Sequence, residues 1–259
     1  MRYRNLLAAL LAMAPCAVAQ DALPSAKEVM AKYVQVTGGK DAYAKVKSYI
    51  VRGKMQVPNA PAGQNTGDII IKGLMKPRRQ FQSVRMGNRR IERFCSDKTA
   101  WEIASGKTRQ LKKVELAQAM RDASFVFELT PEKLFKSMKV EGKQKIGDEE
   151  CYKLVVTPKA GKPETLYYGV ESGLKVRSEQ QVAMQTTTVT VQTQYSDYRK
   201  VGAIRFPFKS TQKATQPGRT TSFVLITDKI ELDAKVSKDM FTVPDKFQSK
   251  PKSDVGRSK

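Results

Sequence analysis

The chain contains no histidine at all. That removes serine–histidine and cysteine–histidine nucleophile pairs, histidine-ligated zinc, and the commonest general base near neutral pH. Acid is scarce beside base as well, 25 Asp and Glu against 47 Lys and Arg, for a net charge of +22. Carboxylate pairs remain as candidate acid–base groups, and the densest cluster is Asp148-Glu149-Glu150. It follows Gly147 between two strand-like runs and reads as a solvated hairpin tip, whereas a working carboxylate is partly buried with a displaced pKa. No catalytic residue, metal or cofactor is expected.

Long apolar runs are missing too, apart from one at the start. Arg2 and Arg4 precede a run from Leu6 to Ala14, and Ala17-Val18-Ala19 places small residues before Gln20. This is the pattern of a secretory signal peptide, residues 1–19, cleaved after Ala19 and too short to span a membrane. Cys16 raises a lipid-anchored terminus instead, but Pro15 beside it and Met13 three residues upstream fit such a site poorly. The expectation is a soluble periplasmic protein with one domain over 20–247 and a basic, disordered tail over 248–259.

With the two leader arginines removed, the excess of base is still +20. Such a charge normally suggests nucleic acid. Export and the scatter of charge along strands argue against it and favour an anionic envelope surface, or simply a solvated basic exterior. Beyond the leader, Cys95 and Cys151 remain; in an exported chain they either pair as a disulfide or stay as two buried thiols.

What is present is mostly alternation. In SYIVRGKMQV (48–57), Tyr49, Val51, Met55 and Val57 face one way, and Arg52, Lys54 and Gln56 the other. That is a half-buried antiparallel strand. Similar runs recur to residue 232, separated by turns such as Glu171-Ser172-Gly173, where glycine can take the positive φ that closes a hairpin. Helical signals are few. Ser25-Ala26-Lys27-Glu28 is a capping box ahead of Val29, Tyr33 and Val36; residues 114–127 repeat at helical spacing; Thr130-Pro131-Glu132 reads as a further helix start. About ten or eleven strands with so little helix predict a mainly β protein, an antiparallel half-closed barrel with helices over its concave side.

Several landmarks then carry a resemblance. Gly67-Asp68 opens a strand that runs to Lys76-Pro77 and on to Phe81. Ser96 to Trp101 forms a turn into a tryptophan-bearing strand. The hairpin turn precedes Gly173-Leu174, and Phe241-Thr242-Val243-Pro244 closes the series. In this order, over residues 25–247, they resemble the LolA-type periplasmic lipoprotein carriers, the outer-membrane lipoprotein-sorting family with its LolA/LolB-like fold. The resemblance implies an incomplete β-barrel with a helical lid over an apolar cavity that holds acyl chains. Each CH₂ kept from water contributes roughly 0.8 kcal/mol, so a long chain needs a dry cradle to cross an aqueous space.

On this reading Ile69, Ile71, Phe81 and Trp101 line the cavity from the sheet, and Tyr33 and Met120 from the helices. Lys76 and Arg78 sit at the rim or lid. Family carriers have an arginine where Lys76 stands, and lysine lacks its planar fork; the glycine usual in the turn after Asp97 is missing too. These departures weaken lipoprotein as cargo more than lipid. The function implied is a non-enzymatic carrier or binder of lipoproteins or lipid-like amphiphiles. Its partners are acyl chains, an anionic membrane surface, and a transporter or outer-membrane acceptor, with no nucleic acid. The alternative is a docking module that binds anionic surfaces or a partner protein without cargo.

Overall fold

The structure is a computed structural model describing residues 22–243 apart from 59, 62, 64 and 184–187. The expected signal peptide, the tail and Pro244 lie outside the described residues. Three helices occur among them: α1 (Ala26–Val36), α2 (Lys40–Lys45) and α3 (Lys113–Asp122). None is long and apolar enough to cross a membrane.

Strands make up the rest. The first group is β1 (Ser48–Gln56), β2 (Thr66–Met75), β3 (Arg78–Met86), β4 (Arg89–Ser96), β5 (Ala100–Ala104) and β6 (Lys107–Leu111). The second is β7 (Phe135–Ile146), β8 (Glu149–Pro158), β9 (Glu164–Gly169), β10 (Lys175–Ala183), β11 (Thr188–Val201), β12 (Ile204–Gln216) and β13 (Arg219–Leu232). All thirteen join one sheet in the order β6-β5-β4-β3-β2-β1-β13-β12-β11-β10-β9-β8-β7. Every neighbouring pair is antiparallel, and only β1 with β13 are not consecutive in the chain. The sheet is therefore open at β6 and β7, which are successive in sequence. The segment between them, α3 and two 3-10 turns (Phe127–Leu129 and Pro131–Lys133), must bridge the gap.

The strand count exceeds the expected ten or eleven, and β6 is the clearest addition. Its residues KTRQL carry one apolar side chain, so alternation is invisible; pairing with β5 alone makes it a strand. The helical spacing over 114–127 is cut short at Asp122, and Phe127 falls in a 3-10 turn. Thr130 makes no side-chain cap and starts only the turn Pro131–Lys133.

Local signals elsewhere act as expected. The Glu28 N–H donates to Ser25 Oγ while the Ser25 N–H donates to Glu28 Oε2, closing the capping box of α1. In the β9–β10 hairpin Gly173 has φ +66°, and Lys32 of α1 lies where a Cβ would go. Lys32 Nζ also donates to the Val170 carbonyl at 2.7 Å, so α1 is tied to this hairpin.

Helix α1 fills one half of the sheet's inner face. Val29, Met30, Tyr33 and Val34 pack with Tyr43 of α2 against Val140, Leu154, Val156, Leu166, Tyr168 and Ile204. Burial of each large side chain contributes about 1.5–3 kcal/mol. On the outer face of the other half, Phe81, Phe94 and Ile103 are roofed by Phe241 and Val243, reached through the 3-10 turn Lys238–Phe241.

Candidate ligand cavity

Strand register decides which side chains look inward. On β1 and β2, Tyr49 pairs with Gly73, Val51 with Ile71 and Met55 with Gly67; Gly73 pairs with Gln80 of β3, Ile71 with Gln82, and Ile69 with Val84. Val84 in turn pairs with Ile91, Gln82 with Arg93 and Gln80 with Cys95 of β4. Cys95 lies beneath Ala119 of α3 and Ala123 at its C-cap, which marks this as the inner face.

The upper part of this wall is apolar and open. Met55, Val84, Ile91, Gln82 and Arg93 line a hollow of about 250 Å³, just below the range common for small-ligand sites. Ile91 is 48% exposed, one of few large apolar side chains so uncovered among the described residues. Ile69 and Ile71 stand on the same face, the former buried and the latter half-buried.

The lower part is closed by the bridging segment. Phe125 inserts between Tyr49 and Phe206, with ring centroids 4.6 Å and 5.6 Å away, and meets Tyr43 at 6.2 Å. The Tyr49 ring in turn lies over Gly73, where any Cβ would collide with it.

Beside Phe125 is a second cavity, about 280 Å³, lined by α1, the bridging segment, and β7, β9, β10 and β11. Its walls are charged. Lys175 Nζ donates to Glu128 Oε1 at 2.7 Å, and Tyr168 OH donates to the same oxygen at 2.9 Å. The Glu128 side chain is 2% exposed. The ammonium also lies 4.6 Å from the Phe127 ring centre, 5.4 Å from Tyr33 and 5.3 Å from Tyr195, a cation–π enclosure. Burial works against the charge of Lys175, but Glu128 outweighs it and the pKa lies above the ordinary lysine value. Burial also raises Tyr168 and Tyr33, with the Glu128 charge adding to it.

Next to this pair, Arg121 Nη2 donates to Glu164 Oε1 at 2.7 Å and Nη1 to the Ala160 carbonyl at 3.1 Å. Asp122 follows at the last position of α3. It is reached by water, yet protein atoms ring its carboxyl, and burial pushes its pKa up to about 6 against the pull of Arg93 and Arg121. On β5, Glu102 accepts from Arg93 Nη2 at 2.8 Å and from Arg109. Those bonds hold Glu102 below the usual carboxylate range although burial pushes it up.

The residues chosen from sequence are thus divided. Ile69 and Ile71 face inward on the open wall, and Tyr33 lines the charged cavity. Met120 packs with the buried cluster of Cys95, Ala100 and Leu111 under α3. Phe81 and Trp101 correct the expectation. Phe81 pairs with Lys72 and Phe94, and Phe94 with Trp101, so both stand on the outer face beneath Phe241. The resemblance suggested them; the pleat turns them away, because neighbours along a strand point to opposite faces. Lys76 is exposed at the β2–β3 turn, and Arg78 pairs with Asp97 at 3.3 Å.

Of the two alternatives for the cysteines, the structure holds the buried thiols. Cys95 and Cys151 are both free, one inward on β4 beneath α3 and the other on β8 beside Ile146 and Tyr167. They lie in different halves of the sheet, and burial pushes each thiol up to about 11. Sequence reasoning missed Asp122 and Glu128 on the bridging segment and Glu164 and Lys175 on β9 and β10, which only the fold brings around one cavity.

No protein-family profile matches the sequence, and no curated protein resembles it in sequence. Solved structures do resemble it in fold. A LolA superfamily protein from Nitrosomonas europaea superposes with a TM-score of 0.57 at 12% identity, over 85% of this chain and 99% of that one. A DUF1329 family protein from Desulfovibrio piger gives 0.56 at 12%, over 83% and 96%. An outer membrane lipoprotein-sorting protein domain from Vibrio parahaemolyticus gives 0.55 at 11%, over 83% and 95%. At such identities the likeness is one of fold: the chain has a LolA-like open β-barrel.

Proposed function

We propose that the protein is an envelope carrier or binder of lipid-like amphiphiles, performing no covalent chemistry and holding an acyl chain against the inner wall of β1 to β4. One observation carries this reading. Ile91, Val84 and Met55 form an apolar, water-facing patch on the concave side of a sheet whose other half carries α1 and α2. Apolar surface left open inside a concavity is costly unless something covers it in use. The Vibrio parahaemolyticus domain with this fold is described as lipoprotein-sorting, which agrees with the reading but only at the level of fold.

The test is direct. Protein purified gently from the envelope should carry lipid in native mass spectrometry. Stripped protein should bind a fluorescent fatty-acid analogue one to one, and Ile91→Asp should weaken that binding about tenfold or more at unchanged circular dichroism. A lipid-free protein that ignores the analogue sinks the proposal.

A second reading is supported by the outer face. Lys54, Lys209 and Lys213 project from it across β1 and β12, and none makes an ion pair among the described residues. This suits docking on an anionic lipid surface, which should weaken steeply as salt rises.

A further inference from the structure

The open wall is apolar at its centre and basic at its margin, and strand register sets both. Val84 pairs with Ile91, Ile91 with Ala104 and Ala104 with Lys107, so these four stand in one inward-facing row across β3 to β6. Met86 pairs with Arg89 one step nearer the hairpin tip, and Gln82 with Arg93 one step further from it. Alternate residues of a strand share a face, so Ile91 lies between the inward-facing Arg89 and Arg93. Lys107 stands two strands away at the same level. At about 4.8 Å per strand its backbone is about 10 Å from that of Ile91, a gap that the long side chains of Lys107 and Arg89 can narrow from both sides.

These cations outnumber the acid that they meet. Arg109 pairs with Glu102, and Glu102 with Arg93, so this row faces inward too. The carboxylates bonded to it are Glu102, shared by Arg93 and Arg109, and Glu115 of α3, on Arg109. Four inward cations on β4 and β6 thus meet two carboxylates. The side chains of Arg89 and Lys107 make no hydrogen bond or ion pair among the described residues, and both are exposed. On the outer face of the same β3–β4 hairpin, by contrast, Arg90 bonds Glu92 at 2.7 Å and Ser83 at 3.2 Å. Two uncommitted cations therefore flank the apolar side chain that is most exposed on this wall, Ile91.

An apolar wall by itself accepts any alkyl chain, and cations at its margin add a preference for a head of opposite sign. Arginine offers a planar fork to phosphate or carboxylate oxygens, and lysine a point charge beside it. From the placement of Arg89 and Lys107 on the inner face beside Val84 and Ile91, we infer that the ligand is an amphiphile with an anionic headgroup, phosphate or carboxylate, held between these two side chains with its chain along the apolar row. This deepens the carrier reading and rests on it. It also gives the basic charge two distinct roles, a diffuse one on the outer face and a selective one at the mouth of the hollow.

The experiment compares single-chain amphiphiles of equal tail length on stripped protein, below their micelle concentrations and in physiological salt, by calorimetry. Dodecyl phosphate or laurate should bind one to one and about tenfold tighter than uncharged dodecyl maltoside, the tighter of the two anions identifying the head. Replacing both cations, Arg89→Gln with Lys107→Gln, should remove that advantage, leaving maltoside binding and circular dichroism unchanged. Lys54→Gln with Lys213→Gln removes the same charge from the outer face and should alter anion binding less than about twofold. Inorganic phosphate alone should bind at least a hundredfold more weakly than dodecyl phosphate, as it brings no chain to the wall. Equal loss of anionic and uncharged ligands in the Arg89 and Lys107 variant overturns the headgroup assignment. So does an equal loss of anion binding in the outer-face variant, or binding of dodecyltrimethylammonium as tight as that of the anions. Maltoside binding with any of these outcomes leaves the carrier reading standing; failure of all four amphiphiles removes both.

Discussion

The two halves of the inner face are built from one repeating element and treated differently. Over β7 to β9 and β12, helices α1 and α2 cover the sheet, and Met30, Leu154, Val156 and Tyr168 are fully buried. Over β1 to β4, no helix among the described residues covers Met55, Val84 and Ile91. Strand chemistry is similar in both; what differs is whether a helix remains to lie on it. One half supplies stability, and the other retains an apolar surface for something else. The bridging segment from α3 to the 3-10 turns is the boundary, held to the packed side by Arg121–Glu164 and Glu128–Lys175.

This contrast can be broken first at the boundary. Lys175→Ala should destabilise the fold by about 3–5 kcal/mol in urea unfolding, because Glu128 would be left buried and unpaired. Replacing both, as Lys175→Met with Glu128→Gln, should recover most of that loss. If the single change costs under about 1 kcal/mol, the boundary is not fastened there.

The packed and open halves should separate next. Leu154→Ala should cost about 2–5 kcal/mol and Ile91→Ala under about 1 kcal/mol, since only the first leaves a cavity in a close-packed interior. Similar costs at both sites would mean that the open wall is covered after all.

The smallest effect concerns pH. The Asp122 pKa of about 6 lies above the ordinary 3.8, so the folded chain holds this proton over an interval where the unfolded chain has released it. Stability should fall as pH rises from about 4 through about 6, and Asp122→Asn should abolish that slope. Because the side chain is wetted, the stability that Asp122→Asn regains at neutral pH should stay below about 1 kcal/mol. Thermal melts across this interval are sufficient; a variant with an unchanged slope would show that Asp122 is not enclosed.

Thiol counting checks the two buried cysteines. Without reductant, Cys95 and Cys151 should both react after denaturation and resist reagent in the native protein, since burial raises both pKa values.

Much of the fold was legible because its signals are local. The capping box at Ser25, the turn at Gly173 and the alternation of β1 each act within a few residues. The strand KTRQL was not, because its conformation comes from its partner β5. The site was legible only in part. In RRQFQSVRM of β3, Phe81 points outward while Val84 and Met86 share the face of Gln80 and Gln82, so apolar residues occupy both faces and the pattern alone does not say which is inside. Phe81 and Trp101 therefore fall on the outer face, whereas Ile69 and Ile71 fall on the inner one.

By itself the sequence determined that this is a strand-rich chain with few helices, strong positive charge and no imidazole, because composition and short-range pattern act through propensity and periodicity. Only the tertiary structure decided that one half of the concavity is filled and the other open, and that Asp122, Glu128, Glu164 and Lys175 surround one hollow. The reason is register. Closing β1 onto β13 brings residues more than a hundred positions apart into one sheet, and each residue of slip along a strand exchanges its inner and outer faces.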